Sequence, residues 1–131
     1  MEQENNHPYM KRMEVIDILR YSMHGSGEDP KKYYAALSQL VEQDKNFRVM
    51  RANNTLFSYY NKGNGEVDMT MDTADDPRTL IKSIQEFEKA MKVVGFKKVV
   101  FEINNPQVAK LMDIAHIQYS LDGNTVTVKL S

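Results

Sequence analysis

The sequence predicts a mixed α+β domain. Its expected sheet is an antiparallel three-stranded meander followed by a parallel βαβ crossover, a further helix and a C-terminal hairpin. Three observations predict it. Glu66–Asp72 alternates polar and apolar residues, as a half-buried strand does. Pro77–Val94 repeats apolar residues at steps of four and three, between Asp76 and Gly95. Lys97–Ile103 carries the apolar run Val99-Val100-Phe101, expected of a strand covered on both faces. A helix of this length between two strands sets them parallel and lies on one face of the sheet.

The rest of the chain divides around that unit. Met1–Pro8 is polar, lacks the apolar core of a signal peptide, and is expected to be a flexible arm. Residues 9–131 are expected to form one domain. Tyr9–Met23 reads as a first helix, with Met13, Ile16, Leu19 and Met23 on one face and Gly25 as its stop. His24-Gly25-Ser26-Gly27-Glu28 is glycine-rich but lacks the Gly-Lys-Ser/Thr ending of a phosphate loop. Asp29 and Pro30 open a second helix as cap and first residue, with Tyr33, Tyr34, Leu37, Leu40 and Val41 as its apolar stripe. The two tyrosines are expected to be half-buried, with hydroxyls reaching water.

Phe47–Ala52 and Thr55–Tyr60 read as strands joined at Asn53-Asn54, and Lys62-Gly63-Asn64-Gly65 as the next hairpin turn. In the third strand Val67, Met69 and Met71 share one face, and Glu66, Asp68, Thr70 and Asp72 the other. The crossover helix takes Asp76 as cap, Pro77 as first residue, Gly95 as stop, and Leu80, Ile84, Phe87, Met91 and Val94 as its stripe. Asn105-Pro106 opens a further helix carrying Val108, Leu111, Met112 and Ala115. Ile117–Leu121 and Asn124–Leu130 close the chain as a hairpin about Asp122-Gly123.

Composition narrows function. Seventeen basic and eighteen acidic residues give a net charge of -1, which argues against non-specific nucleic-acid binding. Lys89, Lys92, Lys97 and Lys98 form a small basic patch without interleaved aromatics, so it reads as a solvated surface. The absence of cysteine removes disulfides and thiolate chemistry. His7, His24 and His116 lack metal-ligand spacing, and no metal is expected. No apolar run approaches the roughly 20 residues of a membrane span. The expectation is a cytoplasmic protein with no membrane association. The nine methionines suit core filling and, where exposed, an adaptable protein-binding surface.

In this order of elements the chain resembles the GNAT family of N-acetyltransferases from about Tyr9 onward, with the family's first strand missing or reduced. The family's Asn-x-x-Ala-x-x-Leu-Tyr pattern is matched in eroded form by Asn105, Val108, Leu111 and Met112. His116-Ile117 stands where the family has Gly-Phe. The resemblance implies a cofactor loop at Asp72-Thr73-Ala74-Asp75-Asp76-Pro77-Arg78, where the family's glycines admit the pyrophosphate of acetyl-CoA. This loop has no glycine, three carboxylates, and a proline that removes one N–H donor. Two like charges roughly 6 Å apart repel by about 3 kcal/mol at an effective dielectric near 20. Arg78 offsets one charge. Met112 aligns with the family's proton-donating tyrosine and has no proton to give.

These departures lead to the expectation of a non-catalytic GNAT-like domain without a cofactor, acting through a protein partner. It is similar to small acetyltransferase-like proteins of tailed phages, which places it in a host cytoplasm or virion. The first alternative is an active acyl-CoA-dependent N-acetyltransferase with an atypical loop and Asp68 or Glu102 as general base. The second is a small inhibitor of a host enzyme, using Asp72, Asp75 and Asp76 as an anionic mimic. Self-association is compatible with each. An open groove between the two parallel strands is the feature that separates an enzyme from a filled, inert fold.

Overall fold

The computed structural model describes residues 12–103 and 106–130. The expected arm at Met1–Pro8, the proposed start of the first helix at Tyr9, and Asn105 lie outside the described residues. The elements run α1 (Val15–Ser22), α2 (Pro30–Gln43), β1 (Phe47–Ala52), β2 (Thr55–Gly63), β3 (Glu66–Thr73), α3 (Pro77–Val94), β4 (Lys98–Glu102), α4 (Pro106–Ile114), β5 (Ser120–Asp122) and β6 (Thr125–Lys129). They form one six-stranded sheet in the order β1-β2-β3-β4-β6-β5. Only β3 and β4 are parallel. The mixed α+β expectation therefore holds. The closing hairpin folds back so that β6, not β5, pairs with β4 and leaves the three-residue β5 at the edge.

Turn chemistry fixes the meander. Asn53 takes φ 52°, and Asn64 and Gly65 take φ 56° and 78°, the left-handed region that asparagine tolerates and glycine occupies freely. The register then sorts side chains. Met50, Phe57, Met71, Val99, Val126 and their alternating neighbours lie on one face. α3 and α4 cover that face with Leu80, Ile84, Phe87, Met91 and Met112. Phe57 and Phe87 stack at a ring-centroid distance of 4.5 Å, and Tyr59 meets Phe87 edge-on at 5.5 Å. α3 spans the predicted residues. Asp76 accepts from Thr79 N at 2.8 Å, Pro77 stands at the first turn, and Gly95 closes it at φ 112°.

The opposite face carries Val49, Leu56, Ser58, Tyr60, Asp68, Thr70, Asp72, Val100 and Glu102. α1 packs Ile18, Leu19 and Met23 against Leu56 at one end of it. α1 is shorter than predicted. Met13 N donates to Asn54 Oδ1, and Glu14 stays extended, so the helix begins at Val15. Its buried residues are Ile18, Leu19 and Met23; Ile16 is only half-buried. α2 starts as predicted, with Lys31 N donating to Asp29 Oδ1. Its stripe is another matter: Leu37 is buried, but Tyr34, Leu40 and Val41 are exposed. The helix overhangs the sheet instead of lying flat on it. Val94, assigned to the α3 stripe, is also exposed, because it lies in the last turn before Gly95.

Candidate functional site

The site arises from an interrupted strand pair. β3 and β4 pair only through Glu66–Lys98, Val67–Val99 and Asp68–Val100. Beyond Asp68 the two strands diverge, although β3 continues to Thr73 and β4 to Glu102. A groove of about 750 Å³ opens there. Its floor is apolar, from Met69, Met71, Phe101 and Ile103, and α2 overhangs it with Tyr33, Leu37 and Leu40. Leu80 of α3 and Val108 of α4 close its far side. Val100 is thus only half-buried, so β4 is not covered on both faces as the apolar run suggested.

Both carboxylates singled out as bases line this groove. Asp68 Oδ1 is buried and has no hydrogen-bond partner among the described residues, while Oδ2 faces Lys62 Nζ at 3.5 Å. Glu102 is exposed at the end of β4, two residues beyond the last paired position. Thr70 stands across the gap from it on β3.

The third carboxylate of that strand face, Asp72, does something else. It is buried and accepts from Ser22 Oγ at 2.9 Å and Tyr33 OH at 3.2 Å. It thereby joins β3 to both α1 and α2. Tyr33 is pushed up to about 12 by burial first and the Asp72 charge second. Tyr33 is half-buried as predicted, and its hydroxyl donates to Asp72.

The loop Asp72–Arg78 is closed upon itself. Asp75 accepts from Asn54 N at 3.0 Å, Thr55 Oγ1 at 2.7 Å and Ser83 Oγ at 3.0 Å. Ala74 N donates to Asn54 O and Asp75 N to Thr73 Oγ1. Donation from Thr79 N–H holds the Asp76 carboxyl below the usual carboxylate range, with the Arg78 charge acting in the same direction. The N–H groups that an anion would need already serve these acceptors. Asp72 and Asp75 bond inward, while Asp76 caps α3 from a half-exposed position.

Met112 is fully buried in the α3/α4 core and does not line the groove. Tyr119 lies against α4, its hydroxyl donating to Asp113 Oδ1 at 2.9 Å; it also stands outside the groove. Sequence reasoning missed Ser58. It reads as a polar residue in a strand, yet it is 5% exposed, lines the groove, and its Oγ has no hydrogen-bond partner among the described residues. It sits near enough to the Tyr33 oxygen to ease ionisation there, without the geometry of a bond. The signal for it was the register Ser58–Thr70, which places it opposite the splay.

Lys98 of the basic patch pairs with Glu66 at 3.3 Å. His116 takes φ 59° just beyond the end of α4. Among the described residues no group of His, Asp or Glu has the arrangement to hold a metal, and no helix is long and apolar enough to cross a membrane.

Comparison with solved structures places this architecture. The chain is similar to a GNAT superfamily phosphinothricin acetyltransferase from Sinorhizobium meliloti in complex with AcCoA. The TM-score is 0.61 and the identity 10%, over 89% of this chain and 82% of that one. It is similar to an N-acetyltransferase from Staphylococcus aureus Mu50, with TM-score 0.59 and 9% identity over 89% and 91% of the two chains. It is similar to the ribosomal-protein-S18-alanine N-acetyltransferase from Escherichia coli, with TM-score 0.58 and 9% identity over 92% of each. No family model and no curated protein matches the chain. The fold is GNAT-like; at these identities the likeness reaches no further than the fold.

Proposed function

We propose that this chain is an acyl-CoA-dependent N-acetyltransferase that works in the β3/β4 groove and holds its donor atypically. The observation that carries the reading is the splay after Asp68–Val100, which leaves an open, apolar-floored channel with carboxylates at its mouth. The fit of acyl-CoA is uneven. An apolar channel suits the pantetheine arm. The phosphates find no backbone cradle at Asp72–Arg78, since Asp75 and Asp76 already take the available donors. Arg78, exposed on the first turn of α3, is the cation in that loop. When bound, acyl-CoA supplies the activated acyl group. The chain's own part is to orient the amine and to accept its proton at the Asp68 carboxylate, which lines the groove and whose Oδ1 has no hydrogen-bond partner among the described residues.

A second reading rests on the closed loop. Carboxylates fixed at a helix N-terminus repel phosphate, which favours a non-catalytic domain that acts through a protein partner, as in an accessory or virion protein. One titration separates the two. Micromolar binding of acetyl-CoA, weakened by Arg78→Glu, together with CoA release on adding amines, supports the transferase. Absence of binding at millimolar acetyl-CoA removes it and leaves the non-catalytic domain.

A further inference from the structure

β1 is the long open edge of the sheet. It stands at the end of the strand order and pairs only with β2, whereas the opposite edge, β5, is three residues long. Its six residues pair without a bulge and contain no proline, two of the devices that blunt an edge. The register fixes which backbone groups are occupied. Ala52 and Thr55 flank the two-residue turn Asn53-Asn54, and Asn61 N donates to Asn46 O, so Asn46, Arg48, Met50 and Ala52 bond toward β2. Val49 and Arg51 alternate with them and turn N–H and C=O outward, where no strand lies among the described residues. The side chains along this edge are cationic. Lys45 and Arg48 are exposed, and Arg48 folds over the strand to donate to Phe47 O at 2.8 Å. Arg51 donates to Asn53 O and Asn54 Oδ1, and burial first and the Arg12 charge second lower its pKa, so a further cation stands beside it. Asp44, the acid beside Lys45 in sequence, accepts from Asn46 N at 2.9 Å. Val49 is exposed between the two strand arginines.

We propose that the outer edge of β1 takes up an extended acidic segment of another protein as an added strand. Main-chain bonds to Val49 and Arg51 supply the affinity, as strand addition does generally. A segment of alternating acidic and apolar residues places its carboxylates on the face of Arg48 and its apolar side chains on the face of Val49. A second copy of this chain brings the same arginines to the edge, and like charge opposes that pairing. The edge lies two strands away from the β3/β4 splay, so the proposal does not depend on acyl transfer.

The test titrates three peptides into the whole chain at pH 7: acetyl-TEVEVET-amide, its lysine counterpart acetyl-TKVKVKT-amide, and the acidic peptide with proline in place of both valines. Amide hydrogen exchange reads the register. The N–H groups of Val49 and Arg51 exchange quickly in the free chain and are slowed about ten-fold by the acidic peptide, while those of Arg48 and Met50 are unchanged. The acidic peptide binds about ten-fold more tightly than the lysine peptide, and about five-fold more tightly than its own proline form. Raising NaCl from about 50 mM to about 500 mM weakens it. Val49→Pro removes an outward N–H and no bond to β2, so it abolishes the protection of Arg51 with the sheet signature intact. Arg48→Glu, an exposed change, independently turns the preference toward the lysine peptide. Equal binding of both charges, binding without protection of Val49 and Arg51, or binding of none overturns the proposal. So does slow exchange of these two amides in the free chain, which would mean that another part of the chain or a second copy already covers the edge.

Discussion

Thr55 Oγ1 donates a 2.7 Å hydrogen bond to Asp75 Oδ2, tying the first residue of β2 to the turn that precedes α3. The same carboxylate takes Asn54 N and Ser83 Oγ, so one side chain joins the β1–β2 turn, β2 and α3. Thr55 and Ser83 are both fully buried. The loop where the resemblance implied an anion site is organised around the Asp75 carboxylate.

That arrangement makes Asp75 a stability residue. Asp75→Ala removes the shared acceptor of Asn54 N and of two buried hydroxyls, of which Thr55 Oγ1 keeps Thr73 Oγ1 and Ser83 Oγ keeps Thr79 O as partners, and the expected loss is about 2–3 kcal/mol. Asp75→Asn retains one acceptor oxygen and loses less, about 1–2 kcal/mol. Urea denaturation of the two variants checks both values. A loss below about 0.5 kcal/mol for the alanine variant would show that water replaces the carboxylate freely.

What was legible in the sequence is what is local. Asp76, Pro77 and Gly95 fix α3 through contacts within a few residues, and its ends fall where those residues place them. Asn53, Asn64 and Gly65 set the meander in the same way. The groove was not legible, because it depends on where β3 and β4 stop pairing, and Met69, Met71 and Phe101 read as strand residues either way. Tyr34, Leu40 and Val41 of α2 have the spacing of a buried stripe, yet they are exposed because the helix overhangs a channel. The role of Asp75 was hidden for a related reason: its partners Asn54 and Thr55 lie some twenty positions upstream.

Glu88 gives the fold a pH dependence. Its Oε2 is buried without a hydrogen-bond partner among the described residues, and desolvation raises its pKa from 4.5 to about 7. Between those two values the folded chain binds more protons than the unfolded one, so stability falls as pH rises. The favourable contribution is fully present below about 4.5 and lost by about pH 7. The shift corresponds to at most about 3.4 kcal/mol, and partial exposure reduces the expected change to about 1–2 kcal/mol. Comparing urea stability of the native chain and Glu88→Gln at pH 5 and pH 8 isolates this residue. The variant should gain relative to the native chain at pH 8; an equal difference at both pH values contradicts the assignment.

Gly95 tests the backbone alone. A Cβ built there meets nothing within 4 Å, so Gly95→Ala introduces no clash with another part of the chain. Its φ of 112° lies where an L side chain is strained. The expected cost is about 1–2 kcal/mol, read as a lowered thermal midpoint with an unchanged sheet signature in circular dichroism. An unchanged midpoint would mean that the turn relaxes to negative φ without cost.

Met112 decides whether the family's tyrosine can be restored by substitution. The aligned position suggests Met112→Tyr as the change that returns a proton donor. The structure opposes this, because Met112 is fully buried against the α3/α4 core and away from the groove. A tyrosine there overfills a packed site and carries a hydroxyl into apolar surroundings, at an expected cost of about 2–4 kcal/mol. The variant should therefore melt earlier and show no gain in CoA release with amines. Met112→Leu, close in volume and without a hydroxyl, should cost less than about 1.5 kcal/mol. If Met112→Tyr instead keeps its stability and acquires turnover, α4 rotates its buried face into the groove, and the donor position is open after all.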